Sequence, residues 1–255
     1  MLRVEQLNKQ YSSGILRKHR IEAVKNVSFH IPQGKTLGLA GNSGCGKSTV
    51  ARLVAQLIHP DSGKVFLDNQ ELTGLSPGQL KKQRTKLQII FQHPESSLDP
   101  RKKIITSLLE PMVIHKMGKN QEERMEKIEE LFELVGLNNT LFNRYPHQIS
   151  GGEAQRIIIA RAMTLDPLVL ILDEPTSMLD VSIQAHVMNI LKDLQKKKRL
   201  TYLFISHDLE VLHWFCDEIC VMNRGEIIER GTREAIVNEP QQSFTRELVD
   251  SFCRF

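Results

Sequence analysis

The sequence predicts an α/β fold whose core is a mostly parallel sheet. Two continuous apolar runs, Thr36–Ala40 and residues 168–172, are typical of central parallel strands covered on both faces. A glycine-rich turn follows the first run, and apolar residues at helical spacing follow that turn. Alternating segments near the N-terminus and an amphipathic middle region add an antiparallel β subdomain and an inserted helical subdomain to this prediction.

The composition is that of an ordinary globular protein. The chain has 255 residues, of which 40% are hydrophobic and 25% charged, and its formal charge of +4 does not call for a nucleic-acid partner. No apolar run approaches the roughly 18 residues of a membrane span, and no signal-peptide pattern is present. Cysteines 45, 216, 220 and 253 form no disulfide framework, which favours a reduced cytosolic setting.

The first 36 residues are predicted to be rich in strands. Residues 2–7 and 23–31 alternate apolar and polar side chains, and residues 32–34 form a turn. A further turn at 60–63 precedes a strand at 64–68, and another short strand is expected at 88–91. Tyr11 lies between the first two strands, where its ring could stack on a flat base or pack beneath the neighbouring loop.

The turn after the first buried strand fits the phosphate-binding pattern G-x-x-x-x-G-K-[ST] at every fixed position. Its glycines let successive backbone N–H groups point at an anion, and the following helix presents its N-terminus. Lys47 can reach the β- and γ-phosphates, and the Ser48 hydroxyl can hold Mg²⁺. The core is therefore predicted to be a P-loop NTPase core. The candidate phosphate-binding residues are Gly41, Asn42, Ser43, Gly44, Cys45, Gly46, Lys47, Ser48 and Thr49.

Residues 101–165 are predicted to be mostly helical. An apolar stripe at positions 125, 128, 131, 132 and 135 runs among many Glu and Lys residues, and Gly136 is a plausible C-cap. We expect one domain over 1–255. Its nucleotide-binding core with the β subdomain covers 1–92 and 166–235, the helical subdomain covers 93–165, and a tail covers 236–255.

The second half of the core carries two carboxylates where a buried strand ends. Asp173 and Glu174 follow the apolar run, at the edge where parallel strands present ligands. A helix is expected at 183–194 and a strand at 202–205, followed by His207. Residues 219–229 predict a hairpin with Arg224 and Gly225 near its turn.

Taken in order, these motifs resemble those of the ATP-binding subunits of ABC transporters over almost the whole chain. The motifs that carry the resemblance are Tyr11, residues 41–49, Gln92, residues 149–153, residues 172–175, residues 177–180 and His207. The Ser-Gly-Gly stretch at 150–152, with Gln155 and Arg156 after it, separates this family from other P-loop ATPases. Two residues depart from the usual Leu-Ser-Gly-Gly-Gln signature: Ile149 replaces Leu, and Glu153 replaces Gln, which puts the geometry of this half-site in question.

The resemblance implies a role for each motif. Glu174 is the general base in this scheme, the alternative being a salt-bridged carboxylate at a strand end. His207 contacts the γ-phosphate, and Tyr11 stacks on adenine. ATP and Mg²⁺ are the implied cofactors, with Ser48, Gln92 and Asp173 around the Mg²⁺, and Gln92 also senses the attacking water. In this family Ser150, Gly151 and Gly152 act in trans, on the ATP that the opposite subunit holds.

The resemblance also implies partners and a place in the cell. We expect a heterodimer with a sister ATP-binding subunit, two membrane permease subunits, and indirectly an extracytoplasmic solute-binding protein, but no nucleic acid. The chain would lie peripherally on the cytoplasmic face of the membrane. The interval from Gln92 to Ser150 is too short for a long coiled-coil insertion, which argues against the DNA-repair relatives, and a single motif set argues against the twin-cassette translation factors.

The cargo is inferred from finer resemblance. Residues 91–101 and 243–248 resemble the dipeptide, oligopeptide and nickel importer group. The end at Phe255 and residues 207–216 resemble most the second ATPase subunit of the nickel importer, so nickel is the expected cargo. The alternatives are a peptide importer and, in another class, a non-transport ABC ATPase switch. A metal site in this chain itself, from His213, Cys216 and Cys220, is disfavoured because buried cysteines commonly behave as small apolar residues.

Overall fold

A computed structural model describes residues 1–13 and 19–252 of the chain. Cys253 and the end of the predicted tail therefore lie outside the described residues. The chain divides into two units. The first comprises Met1–Leu80, Ile171–Asp173 and Thr201–Phe255, and the second comprises Lys81–Leu170 and Glu174–Leu200. No helix in the described part of the chain has the length and apolar character needed to cross a membrane.

The elements alternate between strands and helices over most of the chain. The strands are β1 (Leu2–Ser13), β2 (His19–Ile31), β3 (Thr36–Ala40), β4 (Ser62–Leu67), β5 (Gln70–Glu71), β6 (Leu87–Ile90), β7 (Val169–Asp173), β8 (Thr201–Ile205), β9 (Glu218–Asn223) and β10 (Glu226–Thr232). The α-helices are α1 (Lys47–Val54), α2 (Pro77–Arg84), α3 (Ile104–Ile114), α4 (Gln121–Leu134), α5 (Gly151–Met163), α6 (Val181–Lys198), α7 (Leu209–Phe215), α8 (Arg233–Asn238) and α9 (Ser243–Phe252). Short 3₁₀ turns cover Glu95–Ser97, Asn139–Asn143 and Pro146–Gln148.

An antiparallel sheet with the order β2-β1-β4-β5 lies in the first unit, as the alternating N-terminal segments predicted. Strand β1 buries Leu2, Val4 and Leu7, each at most 1% exposed. The alternation breaks at Gln6, whose positive φ of 47° accompanies a register shift in the pairing with β2. Pairing resumes beyond this bulge, so β1 continues to Ser13 and is longer than predicted.

A second sheet of the first unit has the order β10-β9-β3-β8 and continues to the end of β7 at Ile171–Asp173. Strand β3 pairs in parallel with both β8 and β9, and every residue of β3 and β8 is buried. This confirms the predicted mostly parallel core. The hairpin of β9 and β10 is also confirmed, because Arg224 and Gly225 both take positive φ at the turn between them.

The second unit carries the helices α3, α4, α5 and α6. The stripe predicted on α4 is buried at Ile128, Leu131 and Phe132, and the Phe132 ring lies 4.6 Å from that of Phe142. The C-cap residue of α4 is Val135. Gly136 follows it with a φ of 64°, a backbone conformation that glycine adopts without strain. At the start of β7, the backbone N–H of Val169 donates to the carbonyl oxygen of Lys86, which brings β6 and β7 together within this unit.

Candidate nucleotide-binding site

The turn between β3 and α1 has a shape that only glycine permits at two positions. Gly41 and Gly46 have φ values of 148° and 112°. A Cβ on Gly41 would lie 2.2 Å from the carbonyl oxygen of Met222, and one on Gly46 would lie 2.1 Å from that of Ala23. Because both obstructing atoms belong to the backbone, neither can move aside cheaply. The turn is therefore held in one curled conformation directly before the N-terminus of α1.

Lys47, the first residue of α1, keeps its ammonium over this turn. The side chain is buried (5% exposed), and Nζ donates to the carbonyl oxygens of Gly41 at 2.6 Å and Asn42 at 3.0 Å. A buried ammonium needs such partners, since leaving it without hydrogen bonds is costly. The ammonium therefore lies beside a curled backbone that could surround a small anion, as phosphate binding requires.

Ser48 and Asp173 bring a hydroxyl and a carboxylate together behind the turn. Ser48 Oγ donates to Asp173 Oδ1 at 3.1 Å, and Asp173 is 5% exposed at the end of β7. Both are hard oxygen ligands of the kind that Mg²⁺ prefers, and Mg²⁺ usually takes only one or two such groups from a protein alongside phosphate and water. The residues therefore fit a Mg²⁺ ion next to the phosphate-binding turn.

Gln92 and Glu174 meet within the second unit. Gln92 Nε2 donates to Glu174 Oε2 at 3.0 Å, although 82 positions separate the two residues in sequence. Glu174 has a positive φ of 51°, and Ser177 Oγ donates to its carbonyl oxygen at 3.2 Å. A non-glycine residue in this strained region is common at functional sites. The pair presents a carboxylate whose orientation is fixed by an amide, as a base that polarises water requires.

His207 and Tyr11 lie on the first unit. His207 is exposed two residues after β8, just before Asp208 caps the N-terminus of α7. The Tyr11 ring is 39% exposed on β1, with Nζ of Lys9 5.9 Å from its centre. The roles of both residues at the nucleotide stay predictions. The exposure of Tyr11 leaves a ring face accessible to a planar ligand.

The Ser-Gly-Gly stretch forms the N-terminus of α5 in the second unit. Ser150 is the N-cap residue, and Glu153 returns hydrogen bonds to it in a capping box. A Cβ on Gly152 would lie 2.6 Å from Cγ2 of Ile183, so this position needs a very small residue. The Ser150–Glu153 contact is a feature that motif reading missed, although the spacing S-x-x-E was the signal that could have found it.

The cysteines do not form a metal cluster in the described residues. Cys45 is buried inside the turn with Sγ 3.9 Å from Nζ of Lys47, and burial raises the pKa of its thiol. We therefore expect alkylation of Cys45, which would block nucleotide binding, to be slow. Cys216 and Cys220 are buried, and burial raises the pKa of Cys220 to about 12. No group of three or more His, Cys, Asp or Glu residues within the described ranges could hold a metal ion.

Comparisons with known proteins agree on one family. The model described as "ABC transporter" matches residues 24–177. The dipeptide transport ATP-binding protein DppF of Escherichia coli strain K12 is 42% identical, with 100% of this chain and 77% of that protein covered. The oligopeptide transport ATP-binding protein OppF of Bacillus subtilis strain 168 is 45% identical over 91% of this chain and 76% of that protein.

A solved structure supports the same fold. The post-hydrolysis dimer of the ATP-binding cassette MJ0796, bound to ADP and Pi, superposes with a TM-score of 0.82 at 30% identity, over 91% of this chain and 99% of that chain. The names of the two relatives refer to dipeptide and oligopeptide transport. They agree with the alternative cargo of the sequence analysis and give no support to nickel.

Proposed function

Because the chain belongs to the ABC transporter family, as one of its ATP-binding subunits, we propose that it drives the import of dipeptides or oligopeptides. ATP hydrolysis coupled to transport is the activity of this family, and the chain is the motor subunit. The cargo rests on the names of relatives at 42% and 45% identity. The observation that carries the motor assignment is the turn at Lys47, with the Ser48–Asp173 pair beside it.

ATP binding uses the groups of the first unit. The backbone N–H groups of residues 41–49 bind the phosphates, Lys47 neutralises charge on the β- and γ-phosphates, and Tyr11 stacks on the adenine. Ser48 and Asp173 would hold Mg²⁺, and the Mg²⁺ role of Gln92, which lies on the second unit, stays a prediction. The bound ion neutralises charge that develops on the phosphate oxygens during transfer.

Hydrolysis needs a positioned water molecule more than it needs covalent chemistry. Glu174 accepts a proton from that water as general base. Gln92 donates a hydrogen bond to the Glu174 carboxylate and so keeps the carboxylate oriented. His207 donates to the γ-phosphate and helps to orient the water. Gln92 thereby connects the state of the nucleotide with the helical subdomain that we assign to residues 93–165.

A sister ATP-binding subunit completes each nucleotide site. Ser150, Gly151 and Gly152 lie at the N-terminus of α5, where the helix dipole favours an anion. They close over the ATP held by the sister, and the sister's equivalent segment closes over the ATP held here. The dimeric ADP- and Pi-bound cassette among the solved structures supports such a pairing.

A groove on the second unit offers a surface for a permease subunit at the cytoplasmic face of the membrane. It lies between α3 and α5, has a volume of about 570 Å³, and has the side chains of Phe91, Ile114, Ile158 and Arg161 among its walls. Ile114 and the neighbouring Val113 are 50% and 55% exposed. Two permeases and an external solute-binding protein complete the importer.

Uptake of labelled dipeptide and of labelled Ni²⁺ in cells carrying the wild-type chain or Glu174→Gln tests the proposal. Gln preserves the shape of Glu174 but cannot act as a base, so we expect dipeptide uptake to fall by about 100-fold or more. Glu130→Gln, which removes a charge on the exposed face of α4, should leave uptake unchanged.

Unchanged Ni²⁺ uptake in the same cells would support a peptide cargo. Loss of Ni²⁺ uptake alone would reassign the cargo to the metal and keep the motor role. If neither uptake changed, the importer function itself would be refuted.

A further inference from the structure

The hydroxyl of Ser150 is fully engaged within its own helix end. Ser150 Oγ donates to Glu153 Oε2 at 2.9 Å and accepts from the backbone N–H of Glu153 at 3.3 Å. The backbone N–H of Ser150 donates to the same carboxylate oxygen at 2.8 Å. A serine hydroxyl has only one proton to donate. The hydroxyl can therefore donate a hydrogen bond to a phosphate oxygen only after it has broken its bond to the Glu153 carboxylate.

The Glu153 side chain carries a full negative charge at neutral pH. The hydrogen bond from the Ser150 backbone N–H is the main cause that holds the pKa of this carboxyl below its ordinary value, helped by the Ser150 hydroxyl. Arg156 and Arg144 add positive charge nearby, but they donate to carbonyl oxygens: Arg156 to Gly152 and Gly136, and Arg144 to Gln148. The carboxylate thus remains an anion at the point where the proposed function brings another anion.

We propose that Glu153 is a positioning residue that holds the Ser150 hydroxyl away from the partner's ATP and so raises the ATP concentration needed to close the pair. This inference rests on the proposed function, because it needs Ser150 to face the γ-phosphate held by the sister subunit. Two effects act in the same direction. The carboxylate competes for the single hydroxyl proton, and its charge repels the phosphate.

Glu153→Gln is the informative variant because it removes the charge without removing the cap. Gln serves at this third helical position as well as Glu does, since its amide oxygen can accept from the Ser150 N–H. Glu123→Gln is the matched control: Glu123 holds the same third position on α4, after the N-cap residue Asn120, and accepts from the N–H of Lys119. It belongs to the same unit and to no part of the nucleotide site.

The experiment measures ATPase turnover against ATP concentration in the purified complex of the chain with its sister and permease subunits. We expect Glu153→Gln to lower the KM for ATP by about threefold to tenfold with little change in kcat, since the charge is lost and a neutral amide oxygen competes less strongly for the hydroxyl hydrogen bond than a carboxylate does. The difference from wild type should shrink at high salt, because the repulsion is screened. Glu123→Gln should match wild type under both conditions.

A double-mutant cycle tests whether Glu153 acts through Ser150. In a Ser150→Ala background, Glu153→Gln should lose the part of its effect on KM that persists at high salt, because that part acts through the hydroxyl, whereas a purely structural effect on α5 would persist. An equal or higher KM for Glu153→Gln in an active complex would overturn this inference alone. A wild-type complex without ATP turnover would overturn the proposed function, and this inference with it; Lys47→Ala serves as the inactive reference.

Discussion

The ammonium of Lys47 lies inside the protein with two carbonyl oxygens as its partners, from Gly41 and Asn42. These oxygens satisfy the charge in a site where water is largely excluded. A phosphate offers a stronger, charge-assisted partner than a carbonyl does, so the same ammonium can turn to it. The carbonyl contacts therefore keep Lys47 in place without neutralising it.

Lys47→Ala should weaken ATP binding by about 10- to 100-fold, because charge-assisted hydrogen bonds to phosphate are lost. Equilibrium binding of a fluorescent ATP analogue to the full chain measures this effect. Lys64→Ala is the control, since Lys64 forms an exposed ion pair with Glu71 and should bind ATP as wild type does. Undiminished binding by Lys47→Ala would contradict the assignment of the phosphate-binding turn.

How far single residues could be predicted depends on how far apart the interacting groups are in sequence. The turn at 41–49 was readable because its chemistry is contiguous. The Ser48–Asp173 bond joins residues 125 positions apart, so only the family resemblance suggested that they act together. The sequence marks Glu153 only as a departure from the signature, whereas the capping bonds that it forms with Ser150 depend on where the helix begins.

Helix α5 shows an unusual feature for a buried element. Gln155 is 1% exposed, yet within the described residues neither its Oε1 nor its Nε2 has a hydrogen-bond partner. Burying an amide without partners destabilises a folded protein. Ile158 and Ile159, one turn farther along the helix, are buried apolar side chains. The amide is thus the weak point of an otherwise apolar contact surface.

Gln155→Met should raise the free energy of unfolding by about 1–2 kcal/mol, since Met has a similar length and carries no amide to desolvate. Urea denaturation of the full chain measures this change. Gln121→Met, at the exposed start of α4, should change the stability little. A lower stability of Gln155→Met would show that the amide is satisfied in solution and that the contact surface needs it.

Whole elements were predicted best where the side-chain pattern is long and regular. The buried runs of β3 and β7 and the stripe on α4 gave elements of the correct type. The ends were less predictable: β1 extends past a bulge at Gln6 that interrupts the alternation, and α6 extends beyond the predicted 183–194 at both ends. Asp180 caps that helix through its side chain, a local signal that apolar periodicity does not contain.

At the scale of the molecule, each unit carries part of the predicted machinery. The first unit contains the phosphate-binding turn, Asp173, Tyr11 and His207, and the second contains Gln92, Glu174 and the Ser150 segment. If the Ser150 segment serves the sister's ATP, the chain contributes to two nucleotide sites at once. Its own ATP and the ATP that Ser150 contacts are then different molecules, and this difference can be tested directly.

Ser150→Cys introduces a thiol that should react with an ATP analogue carrying an electrophile on its γ-phosphate. When Lys47→Ala is added to the same chain, its own turn binds nucleotide poorly, yet the introduced thiol should still be labelled if the wild-type sister is present. Labelling should vanish without the sister, because no subunit then holds the analogue. The readout is the mass of the modified peptide, and Ser76→Cys, an exposed position away from the motifs, is the control. If Lys47→Ala abolished the labelling even with the sister present, Ser150 would face the chain's own nucleotide. This result would contradict pairing in trans.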